Sequence, residues 1–225
     1  MAETLIESSA ALLNELGLFV GMGDVYLAEM TTEDTAATPP VYGTPYLAVE
    51  GISCGLTPVY AEGSLNASDK SVRSLKMMTG MDVAMESPRV LPKVRCHVLG
   101  REMDENGGEL VGDGMPPLMA VGVYATRDDG TYLMRWIYKV RFSEGKTDMK
   151  TGEDGTIAYQ IPTLEGKGVR LAYRHKTAGG KTVRLTEYVY DSAKQEEPMT
   201  PEEFFSQVRY PWAAPAEAAA TTGEE

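Results

Sequence analysis

The side chains able to do chemistry in this chain are few and scattered. Cys54, Cys96, His97 and His175 are its only cysteines and histidines, and none sits in a CxxC. A Cys–His nucleophile needs thiol and imidazole within hydrogen-bond reach. Cys96 and His97 are adjacent on an expected helix, where successive side chains diverge by about 100°, so a packed thiol accounts for Cys96 better. A zinc centre needs roughly three or four such ligands at usable spacing, which this spacing does not supply. Asp104, Asn106 and Glu109 carry oxygen ligands, but the pattern of a calcium loop is missing. The acid pairs Asp128-Asp129 and Glu153-Asp154 could move protons, yet both fall in turns, where Asp and Gly are favoured for backbone reasons. Arg135, Lys139 and Arg141 could contact phosphate; three bases on one strand more often make a solvated or salt-bridged face. Gly21-Met22-Gly23 precedes a strand rather than a helix, and no GxSxG elbow occurs. No catalytic, cofactor-binding or metal-binding residue is therefore assigned, no cofactor is expected, and an enzyme is disfavoured.

The elements that would position these residues are mostly strands. The first is a helix over 4–16, with Thr4 and Glu7 as a capping box, an apolar stripe of Leu5, Ile6, Leu12, Leu13 and Leu16, and Gly17 as its left-handed stop. The stripe must dock on its own body or on a neighbouring copy. From Asp24 the period becomes two. Strands are expected over Asp24–Met30, over Glu50–Tyr60 with Ile52, Cys54 and Leu56 on one face, and over Val72–Glu86. In the last, Leu75, Met77, Met81, Val83 and Met85 share one side. Loops are expected over 31–45, with Pro39-Pro40 and Gly43-Thr44-Pro45, and over 61–71. Pro92–Leu99 reads as a short helix ended by Gly100, and Asn106-Gly107 as a hairpin turn.

The clearest hairpin joins Leu118–Thr126 to Thr131–Phe142 through Arg127-Asp128-Asp129-Gly130. Tyr132, Met134, Trp136, Tyr138, Val140 and Phe142 are expected on one face, and Arg135, Lys139 and Arg141 on the other. After a charged loop at 143–154, Ile157, Tyr159 and Ile161 mark a strand that Pro162 ends or places at an edge. Gly168–Arg174 and Thr182–Tyr190 are expected to pair around Gly179-Gly180. Thr200 and Glu203 form a second capping box, and Phe204, Phe205 and Val208 can pack back on the body. The tail from Ala213 is low in complexity and expected to be disordered. The fold class is mainly β, a mostly antiparallel β-sandwich or barrel with short peripheral α-helices. The division is an N-terminal helical arm over 1–23, a β-sandwich over 24–190, and a C-terminal helix and acidic, Ala-rich tail over 191–225.

Composition bounds the partners. The chain has 225 residues, 33 acids and 21 bases, a net charge of −12, which argues against a sequence-reading nucleic-acid binder. The charge is uneven: residues 191–225 hold eight acids and two bases, a net of −6, whereas 24–190 hold 22 acids and 19 bases, a net of −3. The first Lys or Arg is Lys70, so no secretory signal is expected. No apolar run approaches the ~20 residues of a membrane span. A cytoplasmic site of synthesis with reduced thiols fits this usage.

The order of segments resembles the major tail tube proteins of long, non-contractile phage tails, particularly those of phages and prophages of Gram-positive bacteria. The resemblance runs through Gly23-Asp24-Val25-Tyr26, Val41-Tyr42-Gly43-Thr44-Pro45 and Val59-Tyr60-Ala61-Glu62. It is densest at Leu99-Gly100, Asp104-Glu105-Asn106-Gly107-Gly108, Trp136-Ile137-Tyr138-Lys139, Phe142-Ser143-Glu144 and Pro162-Thr163-Leu164-Glu165-Gly166. It covers about 24–170; segment 1–20 and the end from about 191 depart from the family pattern. The resemblance implies a structural virion protein that self-assembles into stacked rings, usually of six subunits. Those rings form a tube around the tape measure protein, end on tail terminator and distal tail proteins, and conduct DNA during ejection, with no membrane partner. It also implies that the loops 31–45 and 61–71, or the 1–20 arm, bridge successive rings. The alternatives are the tube protein of a contractile or secretion-type injection machine and a non-catalytic β-sandwich binding module. The second would need exposed aromatics on a flat face, whereas Trp136 and Tyr138 are expected in the core.

Overall fold

The computed structural model describes residues 17–67, 70–145, 161–177 and 179–211, with side chains from 65 to 73 left aside. The expected helix over 4–16, the strand positions Ile157 and Tyr159, Glu153-Asp154 and the tail from Ala213 lie outside the described residues. The described chain is mainly β, built on one curled antiparallel sheet with two short helices.

Two long central strands organise the sheet, β9 (Leu118–Arg127) and β10 (Tyr132–Glu144). They form the hairpin expected from sequence, and its turn closes through Gly130 at φ 81°, a left-handed conformation that favours glycine. One edge of β9 is shared by β2 (Val25–Thr32) and β1 (Phe19–Met22). β2 then pairs with β3 (Val41–Tyr42) and β4 (Tyr46–Val49). The far edge of β10 is also shared, by β14 (Glu187–Asp191) and β11 (Thr163–Val169). β11 leads to β6 (Lys70–Glu86) and β6 to β5 (Ser53–Ala67), which ends the sheet. Two small hairpins stand apart. One joins β7 (Glu102–Met103) to β8 (Glu109–Leu110), and the other joins β12 (His175–Lys176) to β13 (Thr182–Val183).

Both faces of β9 and β10 are buried, against two separate cores. On one face Val121, Ile137, Val140 and Phe142 pack with Leu27, Met81, Val83 and Met85, and Val98 and Leu99 of the helix Pro92–Leu99 close that side. On the other, Met134, Trp136 and Tyr138 pack with Leu171, Tyr190, Phe204 and Phe205. The helix Pro201–Phe205 starts with the expected capping box, in which Thr200 Oγ1 accepts from Glu203 N and Glu203 Oε2 accepts from Thr200 N. Phe204, Phe205 and Val208 are 0%, 2% and 5% exposed, so burial rather than helix length holds this single turn in place.

The structure corrects several expectations. The six alternating residues of β10 do not share a face, because the register slips between Ile137 and Val140. The bulge adds one residue and reverses the alternation, so Tyr138 stays with Trp136 while Val140 and Phe142 join Ile137. The same slip separates Arg135 from Lys139. In β6 a slip opposite Val59/Tyr60 leaves Met78 packed on the core and turns Leu75 and Met77 outward, 60% and 44% exposed. Within the expected loop 61–71, residues 61–67 and 70–71 are instead ladder, with Glu62 paired to Lys76 and Ala67 to Lys70. Cross-strand pairing satisfies its backbone and overrides the polar composition. The loop 31–45 contains β3. Gly17, whose expected helix lies outside the described residues, donates its N–H to Asp129 Oδ2 at 2.9 Å. Pro162 stands just before β11. Of the expected pairing of 168–174 with 182–190 there is the Leu171 N to Leu185 O bond, with the β12–β13 hairpin beyond it, while β11 pairs with β10 and β6 and β14 with β10 instead.

Candidate functional site

Among the described residues, the chemistry-bearing side chains singled out from the sequence lie apart. His97 Nε2 lies 3.3 Å from Glu29 Oε2 and its ring meets Tyr46 edge-on, while Cys96 Sγ faces Glu102 O at 4.0 Å. Adjacent helix positions thus look into different surroundings. Neither thiol is poised as a thiolate. Burial pushes Cys54 up to about 11. Cys96 is raised by burial and then by Glu109, against the partial opposition of Arg95 and Arg101. Asp104 Oδ1 accepts from Asn106 N and Gly108 N at 2.9 and 2.6 Å, the work of an Asx turn. Glu109 points elsewhere, held by Arg95 at 2.6 Å and Arg101 at 3.4 Å, and Arg101 also reaches Glu144 at 2.6 Å. Among the described residues no group of three or more His, Cys, Asp or Glu side chains could hold a metal ion. None of their helices is long and apolar enough to cross a membrane.

The acid pair Asp128-Asp129 does structural work that the turn reading missed. Asp128 Oδ1 accepts from Leu18 N at 2.8 Å and Asp129 Oδ2 from Gly17 N, so the turn clamps the chain where it enters β1. Asp129 is held below the usual carboxylate range, chiefly by its bonds from Thr131. The three strand bases also part company. Arg135 faces Glu187 at 3.3 Å, Arg141 is exposed, and Lys139 is buried.

Lys139 anchors the network that sequence reasoning missed altogether. Its Nζ lies 2.7 Å from Glu33 Oε1 and 2.8 Å from Asp34 Oδ1, and Asp34, whose side chain is 0% exposed, also accepts from Tyr173 N at 2.9 Å. Burial alone would lower the pKa of Lys139. Its bonds to Asp34 and Glu33 outweigh that and raise it. Tyr42 adds a hydrogen bond to Tyr138 O. The segment 31–45 is therefore lashed to the β10 bulge rather than free. Only the separation of Lys139 from Asp34 by 105 residues hid this from a local reading.

Part of the surface has no internal strand partner among the described residues. β5 and β6 pair with each other over their whole length, but β11 accompanies β6 only from Gly80 to Glu86. Past Thr79, whose carbonyl accepts from Arg170 N, the hairpin runs to Lys70 without a third strand among the described residues, for about 30 Å at the rise of a strand. Tyr60, Leu75 and Met77 are exposed on it, with Val59 exposed at its base opposite Gly80, and β5 is a sheet edge. An arm of this kind presents both unpaired backbone and apolar side chains. Its base rests on a core, with Met78, Cys54 and Leu56 packed inward.

No family model matches the chain, and no curated protein matches its sequence.

Proposed function

We propose that this protein is a structural subunit that assembles with copies of itself into stacked rings forming a phage tail tube. The observation that carries the reading is the β5–β6 arm. A two-stranded ribbon that has no third strand among the described residues and exposes Leu75, Met77 and Tyr60 gains stability by packing on another surface. A second copy of the chain supplies one, and strand edges can be extended by a neighbour's backbone. A head-to-tail contact that closes makes a ring, and stacking then extends without limit. The sequence resemblance supplies the rest: rings of about six subunits, a lumen around a tape measure protein, and DNA passing through it. By the same resemblance, the arm bridges successive rings, in the role the sequence reading gave to a 61–71 loop.

The test removes the arm along its own register. Tyr60 pairs with Met78, so 61–77 can be excised and replaced by an Asn-Gly turn. The shortened chain should keep its fold, read by circular dichroism, and form no tubes in negative-stain microscopy where the intact chain forms long uniform ones. Tubes of unchanged length from the shortened chain would remove the arm from the mechanism. An intact chain that stays monomeric at high concentration would overturn the tube reading itself.

A further inference from the structure

Residues 166–186 carry Lys167, Arg170, Arg174, Lys176, Lys181 and Arg184 and no acid at all. That stretch stands out in a chain with a net charge of −12. The fold gathers its three arginines around one concavity of about 600 Å³ at the base of the arm, with Met77, Met78 and Val183 lining the rest. The backbone fixes them there. Arg170 N donates to Thr79 O at 3.2 Å, Leu171 N to Leu185 O at 2.8 Å, and Leu171 is fully buried, so the segments on either side of the β12–β13 hairpin are tied together. Arg170 Nη1 lies 3.3 Å from the Met77 sulfur.

Five other guanidinium groups are paired, while Arg141 and Arg209 are in no ion pair among the described residues. Arg89, Arg95, Arg101, Arg127 and Arg135 each face a carboxylate. Among the described residues, Arg170, Arg174 and Arg184 have no carboxylate partner and no acid lines their concavity. Three planar, permanently charged forks around one hollow make a receptor for oxyanions. The same chain carries the complementary surface. Glu196, Glu197 and Glu202 are exposed, in no ion pair among the described residues, and belong to the 191–225 segment of net −6.

We infer that the Arg170/Arg174/Arg184 concavity receives the carboxylates of Glu196, Glu197 and Glu202 from a second copy of the chain. A basic patch on one copy meeting an acidic patch on the next is a heterologous contact, which propagates through an assembly. It also offsets the mutual repulsion of acidic subunits. The inference rests on the self-assembly reading above and names a surface for it.

The experiment compares the intact chain with R170Q/R174Q/R184Q and with a charge-swapped pair, R170E/R174E/R184E and E196R/E197R/E202R. Sedimentation velocity and negative-stain microscopy at low and high salt read the assembly, and circular dichroism confirms the folding of each variant. The glutamine variant should need about tenfold more protein to assemble, the equivalent of losing one charge-assisted contact. Assembly of the intact chain should weaken as salt shortens the Debye length from about 10 Å to about 3 Å. Each swapped chain alone should fail, and the two mixed should assemble. Unchanged assembly of the glutamine variant overturns the inference and leaves the tube reading standing. Failure of the mixed pair overturns the named acidic partner. An intact chain that never self-associates overturns both readings. If the glutamine variant assembles normally but loses binding to a labelled DNA duplex, the site belongs to a nucleic acid and the inference falls.

Discussion

Replacing Lys139 by methionine keeps the length of the side chain and removes its charge. Asp34 then remains at 0% side-chain exposure with the Tyr173 N–H as its remaining described donor. Removing one partner of a buried ion pair costs about 3–5 kcal/mol, because the other charge is stranded. The carboxylate has one escape, which is to take up a proton. For a carboxyl of ordinary unfolded-state pKa near 3.9 that escape costs about 4 kcal/mol at pH 7 and about 1.5 kcal/mol at pH 5. Glu33 contributes little to this sum, since it is 65% exposed and its pairing is screened. K139M should therefore lose about 4 kcal/mol at pH 7, a large part of the 5–15 kcal/mol of a typical domain, and about half of that loss should disappear at pH 5. The sign follows from protonation: the variant's folded state gains a proton that the unfolded state lacks, so acid favours it. D34N removes the stranded charge and keeps an acceptor for Tyr173, so K139M/D34N should recover most of the loss at pH 7. Urea denaturation of the four chains at both pH values gives the coupling energy. A K139M loss below about 1 kcal/mol, or one that is equal at the two pH values, would refute a buried charge pair at this position.

Three further outcomes follow from the second core and its rim. Phe205→Ala should cost about 3–5 kcal/mol by thermal or urea unfolding, and Gly122→Val should release the helix Pro201–Phe205. A Cβ at 122 would lie 2.7 Å from the Phe205 ring and 3.0 Å from Trp136, so rising Trp fluorescence quenching by acrylamide reads the release. Asp191, which meets Arg127 at 2.7 Å, is held below the usual carboxylate range chiefly by that bond. A depressed folded-state pKa gives stability that is present above the unfolded value near 3.9 and is lost as pH falls through the folded one. Asp191→Asn should flatten the acid limb of the stability–pH curve below about pH 4.

Local patterns carried much of the fold because local physics decided it. The β9–β10 hairpin, its glycine turn, the Asx turn at Asp104 and the Thr200–Glu203 capping box each depend on residues a few positions apart. Their backbone needs are visible in composition. Alternation also found the long strands, since a buried face demands apolar residues at every second position. It failed where one extra residue reversed the phase. Nothing in Ile137-Tyr138-Lys139-Val140 announces a bulge, which follows from β10 changing partners from β14 to β11.

From its sequence alone, then, this chain is readable as a mainly β, acidic protein without a converging catalytic set, and with Phe204 and Phe205 ready to be buried. Tertiary structure alone decided which faces those strands turn inward, that 61–67 and 70–71 belong to a paired arm, and that loop 31–45 is lashed to the body through Lys139. It also decided that three arginines spread over 170–184 stand around one hollow beside Met77 and Met78. The physical reason is the same in each case. Register slips, buried charge pairs and shared cavities are fixed by contacts between distant segments, and spacing along the chain does not encode them.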